Sequence, residues 1–538
     1  IDTESDRSFA RQPDGSFAET VWYSPGYPNE KSGYNRFCDS LEVPAGLSLN
    51  EVKVSNPPTV DGTEVLPDWV EVRNNSGEAL DLTGYTLSDK FSKPQKWSFP
   101  SVVLQPGELA VFTCDGDREA SETNTGFSLN AESEQLYLFD ASGKLIDFAS
   151  LHDIPRDGGM GRLPGQAGFF YFAESTKGEE NGTGFRRISD MPVCLTAQGP
   201  YDGVTRVSIE LSGPGTVYYT LDSTLPSAAS TPYSSPITLT ETGIVRAVAV
   251  EDGALPSRPA TFSFFLNEGH VFPIVSLVSE EAYTFQNMFK FGMKAPSVPA
   301  NVALYENGET RFSHECELDI KGWTSLNLDK KSLGVTFKGR YGGNLKGCDI
   351  FGNGITEYHS LAIRAGQDYT FSVFRNELMQ ELCLEGSDNL YTQAGKYCIL
   401  YVNGAYYGIY CLKEDFSDLY YASHAGVTEE SVEGFRSPSE WYSEYNQLVQ
   451  HFGQSADMTL PENYEKVTSQ INMDSLIDWF LFESWCANSD TVGNMRVYRS
   501  MENGNKWEYV FYDLDWGLWS WDYNFKLLLE DINEALNA

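Results

Sequence analysis

Residues 473–517 read MDSLIDWFLFESWCANSDTVGNMRVYRSMENGNKWEYVFYDLDWG, and this stretch decides how the C-terminal half of the chain is read. It opens on an apolar run containing Leu476, Ile477, Phe480, Leu481 and Trp485, spaced for a largely buried helix with Asp474 as N-terminal cap. The helix is predicted to end near Asn488, because Ser489, Asp490 and Gly493 are turn formers. Asp490 then lies in the loop that leaves a buried helix. Residues 495–500 and 507–513 are rich in β-branched and aromatic residues and flank Asn503-Gly504, a strong hairpin signal. A two-residue loop at Asn503-Gly504 sets Asn494 opposite Asp513, with Cβ atoms about 4.5–5.5 Å apart, a separation suited to two oxygen ligands of one divalent ion. Asp515 leans the same way if the strand continues.

A loop Asp followed by an Asn, and then an Asp after a hairpin, is a layout that phosphoryl transfer uses. The Asp accepts the proton of the attacking hydroxyl, while the other two hold Mg²⁺ against nucleotide phosphates. With Asn488, Asp490, Asn494, Asp513 and Asp515 in the N-x-D-x-x-x-N and D-x-D positions, residues 270–538 resemble the spore-coat CotH kinase family. The resemblance implies an atypical protein kinase using ATP and Mg²⁺, with Asp490 as base and Asn494, Asp513 and Asp515 as metal ligands. The Asn follows the Asp by four residues, one fewer than in the general protein-kinase loop.

Upstream, Lys321-Gly322, Ser325 and Lys330-Lys331-Ser332 occupy the place of the family's K/R-G…S…K-K-S pattern. A kinase needs a cation near the phosphates, so Lys321 and Lys331 are the candidates, standing in a basic cluster with Lys338, Arg340 and Lys346. Phe374, Leu378, Met379 and Leu382 are spaced for an amphipathic helix, on which Glu377 or Glu381 would pair with the phosphate Lys. An Asn403-Gly404 hairpin leads into GIYCLKEDFS. That segment resembles an interlobe hinge whose backbone near Leu412 meets adenine and whose Glu414 contacts ribose or base. Residues 280–292 read as helical, 430–472 as polar and helical, and Trp519, Trp521 and Tyr523 precede a short helical tail.

The N-terminal half reads as all-β. LSLNEV, DWVEVRNNS, LDLTGYTLSD and LQPGELAVF are short strands separated by turns, the pattern of a sandwich. Residues 46–190 resemble a lamin-tail domain. Glu51, Glu71 and Asp89 read as turn-stabilising or solvated carboxylates rather than a calcium cluster. Ser24, Gly26 and Asn29 match Thr176, Gly178 and Asn181 at one shared spacing, so residues 1–45 are expected to be the end of a truncated first copy. Residues 192–266 resemble the chitobiase C-terminal-like β-sandwich, on Tyr219, Thr220, Asp222, Pro226, Ser230, Tyr233 and Pro236. Its tyrosines read as core rather than as a sugar platform. The expected fold is therefore multidomain: immunoglobulin-like sandwiches followed by an α+β kinase-like domain at 270–538, open to continuation beyond the last residue.

Across 538 residues the net charge is −38, which argues against nucleic acid and anionic membranes as partners and suits an extracellular or spore-associated bacterial protein. No apolar run is long enough to span a membrane. The nine Cys are scattered without a C-x-x-C, and the six His are dispersed, so neither a disulfide framework nor a His-based metal site is expected. The expected partner is a protein substrate carrying Ser or Thr, with the sandwiches contacting wall or surface proteins. The other reading is a non-catalytic surface protein with a kinase-like domain.

Overall fold

The computed structural model describes residues 8–518 apart from 13–14, 21–23, 41, 55–66, 117, 131–132, 156–157, 280–296, 323, 367–373, 437–444, 446–447, 449–455 and 492–493. The helical reading of 280–292, the aromatic tail after 518 and much of the polar segment after 436 lie outside the described residues. The chain divides into two units, Ile1–Asn267 with Lys338–Gly343 and Glu268–Phe337 with Asn344–Ala538.

The first unit holds two β-sandwich-type modules. In the lamin-tail-like stretch, Leu47–Lys53 pairs with Asp68–Asn74 and with Gly159–Arg162 in a five-stranded sheet, and Ser133–Phe139 anchors a four-stranded one. Leu49, Val52, Val70, Val72, Leu87 and Leu136 fill the space between them. Glu51 and Glu71 face each other in the ladder and are fully buried. They clasp a turn: Glu51 accepts from the Thr176 hydroxyl at 2.8 Å, and Glu71 accepts from the Gly178 N–H at 2.6 Å. Asp89 pairs with Lys96 at 2.7 Å.

The second module is built on the five-stranded sheet containing Gly243–Val250 and Ala260–Leu266, with its own core around Val245, Phe262 and Phe264. Tyr219 and Tyr233 pack against that core. The modules are tied together, since Leu255 N–H donates to Arg187 O at 3.0 Å and its side chain enters the lamin-tail-like core.

The N-terminal stub forms a hairpin, Ser8–Arg11 with Phe17–Thr20, followed by a helix at Lys31–Ser40 that periodicity did not announce. This helix docks on the first module. Lys31 donates to Ile188 O at 3.3 Å, and Tyr34 meets His152 edge-on at 5.7 Å.

The second unit carries both strands and helices, and its first half is a closed seven-stranded barrel that the sequence did not announce. In barrel order the strands are Ile274–Val278, Val298–Glu306, Glu309–Lys321, Ser332–Thr336, Ser360–Arg364, Ala405–Glu414 and Gly395–Val402, the last pairing in parallel with the first. Closure removes both sheet edges. Alternation puts Leu318, Leu333, Val335, Leu361, Ile363 and Leu412 in the interior. The intervening residues Lys321, Arg364 and Lys413 therefore look outward, on three strands of the barrel wall.

A second core packs helix Met473–Cys486 and helix Arg375–Gly386 with a three-stranded sheet, Val432–Arg436, Arg496–Ser500 and Glu508–Val510. The helix at 473 exists as expected, but its faces are turned. Trp479, Glu483 and Cys486 are buried, whereas Ile477, Leu481 and Trp485 are about half exposed. Its cap is Asn472, accepting from Ser475 N–H at 3.4 Å, rather than Asp474. Across the described residues the Cys are free thiols, most of them buried.

Candidate functional site

Helix Met473–Cys486 ends in a left-handed Ala487, and the loop after it is pinned from within. Glu483 is buried on the last turn. Its carboxylate accepts from Asn488 Nδ2 at 2.9 Å and from the Thr491 hydroxyl at 2.8 Å. Those two residues bracket Asp490, so the loop is held on both sides of the candidate base. Burial raises the Glu483 carboxyl from 4.5 to about 7, against the pull of the two hydrogen bonds, and Asp513 raises it further. The role of Glu483 was not apparent from sequence, where it read as one polar residue in an apolar run.

Asn488 is thus an inward-facing structural residue. Asn494 is the one that meets Asp490, donating from Nδ2 to its carboxylate at 3.0 Å. Burial raises the Asp490 pKa, Asp513 raises it again, and the Asn494 hydrogen bond opposes both. Asp490 and Asp513 therefore lie within electrostatic reach of each other.

The expected cross-strand pairing of Asn494 with Asp513 does not form. The ladder pairs Arg496 with Val510 and Tyr498 with Glu508, one residue out of the predicted register, and it ends there. The cause is the turn. Gly504 and Asn505 carry positive φ, 69° and 53°, and Asn505 N–H donates to Ser500 O at 2.9 Å, which makes the loop longer than two residues. A slip of one residue would have reversed the faces, but neither residue is in the ladder. Beyond Val510, Asp513 takes a left-handed conformation with φ 58°. Helix Arg375–Gly386 catches the segment: Asn376 Oδ1 accepts from Leu514 N–H at 2.9 Å, and Arg375 donates to Asp515 O at 3.0 Å. The turn, rather than a continued strand, aims Asp513 and Asp515 at one partner.

That partner is Arg364. Its guanidinium lies 3.3 Å from Asp513 Oδ1 and 2.8 Å from Asp515 Oδ2. Burial disfavours its charge, but Asp513, Asp515 and Glu377 together outweigh that and raise its pKa. Next to it on the barrel wall is Lys413, which is 2% exposed. Lys413 Nζ is 3.4 Å from Glu377 of helix Arg375–Gly386 and also bonds Gln380. Burial lowers the Lys413 pKa. Burial alone would raise Glu377, but Lys413 and Arg364 hold it below the usual carboxylate range.

The cations named from sequence are placed differently from one another. Lys321 is on the same outer barrel face as Lys413 and pairs with Asp415 at 2.6 Å. Lys331 is buried and turned to backbone, donating to Leu326 O at 2.9 Å and to Leu328 O, where it closes the turn Thr324–Asn327. Glu414 pairs with the interior-facing Leu361, accepts from Ala394 N–H at 2.9 Å and lies 3.1 Å from His424 Nε2. Its side chain therefore points away from the face that holds Lys413. The structure brings together Asp490, Asn494, Asp513 and Asp515, and adds Arg364, Lys413, Glu377 and Glu483. Alternation along strand Ala405–Glu414 carried the signal for Lys413: Leu412 is core, so its neighbour faces out.

Residues 318–537 match the family model described as CotH kinase protein. The C-terminal region is CotH-like. Residues 42–152 match the Lamin Tail Domain, and residues 196–261 match the Chitobiase/beta-hexosaminidase C-terminal domain. A search of curated proteins found no match to the chain. The CotH-like match begins inside barrel strand Glu309–Lys321, yet closure of the barrel requires the two strands before it. Among the described residues, no helix is long and apolar enough to cross a membrane.

The donor set of the CotH-like region suits a hard cation. Asp513 and Asp515 offer carboxylate oxygens, Asn494 an amide oxygen, and the guanidinium of Arg364 already sits against both aspartates as a cation in their reach. Among the described residues no three His, Cys, Asp or Glu side chains form a ready-made metal cage.

Proposed function

We propose that the CotH-like region is an ATP- and Mg²⁺-dependent protein kinase acting on Ser or Thr of a coat or surface protein. The β-sandwich modules serve adhesion or protein contact. The observation that carries this reading is Asp490, bonded by Asn494 in a helix-ending loop, together with Asp513 and Asp515 turned onto Arg364 and the buried Lys413–Glu377 pair.

Asp490 takes the proton of the substrate hydroxyl as its oxygen bonds to the γ-phosphorus and the bond to the β,γ-bridging oxygen breaks, releasing ADP. Asn494 holds the Asp490 carboxylate in place and favours its ionised form. Asp513 and Asp515, with Asn494 Oδ1, are the residues that would hold Mg²⁺, which when bound neutralises phosphate charge. Lys413, oriented by Glu377, and Lys321 on the same barrel face supply further positive charge for the phosphates. Lys331 and Glu414 have structural partners and carry no role here. A bacterial location outside the cytoplasm or on the spore agrees with the family and the acidic surface.

The test is incubation with γ-labelled ATP and Mg²⁺, with and without a Ser/Thr-rich surface protein, followed by mass spectrometry. Label on Ser or Thr from wild type and none from Asp490→Asn is the expected result. Nucleotide binding without any transfer would replace this reading with a non-catalytic, kinase-like binding protein.

A further inference from the structure

The strongest unexplained feature is that both candidate metal ligands on the D-x-D turn already share a cation. Arg364 bridges Asp513 and Asp515 from the barrel wall, at 3.3 and 2.8 Å, with its side chain 23% exposed. A planar guanidinium presents its donors in a rigid fork and fixes two carboxylates in one geometry, whereas an ammonium is a compact point charge on a flexible stem. Asp513 is in a left-handed conformation, and Arg364 is on its carboxylate. Two carboxylates aimed at one point repel each other unless a cation lies between them. Lys413, one strand over, is committed to Glu377 and Gln380.

We propose that Arg364 is the exchangeable counter-cation of this site: it holds Asp513 and Asp515 in their loading geometry and transfers to nucleotide phosphate when a divalent ion takes the carboxylates. The proposal rests on the kinase reading and assigns the residue that couples metal entry to nucleotide binding. The exchange makes the aspartate site one charge more positive. A divalent ion replaces the guanidinium at the aspartates, and the released guanidinium meets the anion that arrives with the metal. Each ligand then favours the other without any change of fold, because each removes the competitor of the other.

Three proteins distinguish this from simpler roles: wild type, Arg364→Gln and Arg364→Lys, each first checked for an unchanged circular dichroism spectrum. Mn²⁺ binding without nucleotide is followed by paramagnetic resonance, and ATP binding without metal by calorimetry. Arg364→Gln is expected to bind Mn²⁺ about tenfold more tightly and ATP about tenfold more weakly. Arg364→Lys keeps the charge but loses the planar fork that fixes both carboxylates at once. It should bind Mn²⁺ more tightly than wild type while keeping ATP affinity within about threefold. If Lys behaves as wild type in both assays, bulk electrostatics accounts for the site and the exchange is overturned. If both variants lose Mn²⁺ affinity, Arg364 is only a support for the aspartates and the proposal is likewise overturned. Wild type that binds neither probe sinks the kinase reading itself, a result separate from the other two.

Discussion

Asn494 donates its side-chain N–H to the carboxylate of Asp490 at 3.0 Å, across the turn that follows the buried helix. The amide therefore has two ends with two tasks: its nitrogen tunes the candidate base, and its oxygen is the atom left for a metal. Asn494→Ala removes the stabilisation of the ionised Asp490, whose pKa burial and Asp513 already raise. The acid limb of the pH–kcat/KM profile should move to higher pH, by roughly half a unit to one unit. An unmoved limb would show that the titrating group is not Asp490.

Asp490→Asn and Asp513→Asn should look alike in a transfer assay and differ in a binding assay. The first removes a group that acts on the acceptor hydroxyl, so Mg²⁺·ATP affinity should stay within about threefold of wild type. The second removes an anionic ligand and should weaken Mg²⁺·ATP by about tenfold or more. Equal loss of binding in both would contradict the division of roles.

Lys413→Met should abolish detectable ATP binding and lower the melting temperature of the second unit, because it leaves the Glu377 carboxylate buried beside fewer cations. Breaking a buried pair from one side costs about 3–5 kcal/mol. The double variant Lys413→Met with Glu377→Gln should recover most of the stability and none of the nucleotide binding. If the double variant bound ATP normally, the pair would be structural only.

Glu483 links stability to pH. Its folded carboxyl is raised to about 7, so the folded state keeps the proton that the unfolded chain has lost above about 4.5. The stabilisation from the neutral form is complete below the unfolded value and is lost as pH rises through about 7. Glu483→Gln keeps an acceptor for Asn488 and Thr491 and has no charge to bury. Its stability relative to wild type should therefore rise across that window, by at most on the order of 3 kcal/mol above pH 7. Parallel stability curves for the two proteins would rule this out.

Thr176→Val removes a hydroxyl whose single proton lies between two acceptors, Glu51 Oε2 at 2.8 Å and Asn181 Oδ1 at 2.9 Å. The expected loss is about 1–3 kcal/mol of local stability. It would be seen as faster amide exchange over residues 176–181, with barrel strand Ala405–Glu414 unaffected as an internal control.

What sequence made legible was set by local chemistry. The sandwich strands, the helix at 473 and both Asn-Gly hairpins follow from periodicity and turn residues. The register of the second hairpin does not, because Asn505 as well as Gly504 tolerates a left-handed backbone, and the turn chose the later pair. The same limit operates at Asn403-Gly404. Val402 faces Ala405, as a two-residue Asn403-Gly404 loop requires, but a bulge at Leu400/Tyr401 then shifts the register of the rest of the hairpin by one residue, so that Cys398 faces Tyr410. Barrel closure was hidden for another reason: it depends on the parallel pairing of Ile274–Val278 with Gly395–Val402, strands far apart in the chain. Asp490 and Asp513 stood out by motif. Arg364, Lys413 and Glu483 are isolated residues in apolar strands and helices, and only the packing brings them to the aspartates.

The turn at Thr176–Asn181 has a twin. Tyr27 N–H donates to Ser24 O at 2.8 Å, Glu179 N–H donates to Thr176 O at 2.8 Å, and Gly26 and Gly178 share a left-handed φ, 82° and 77°. Each follows a hairpin, Ser8–Arg11/Phe17–Thr20 in one case and Gly159–Arg162/Phe169–Phe172 in the other. Yet only the second turn is gripped by buried carboxylates among the described residues. Shape and anchorage are therefore separate properties of the two turns. The loop is moulded by its own short sequence, and Glu51 and Glu71 act as a latch on a form that exists without them. Substitutions at Glu51 should loosen the attachment of the loop to its sheet while leaving its internal geometry intact.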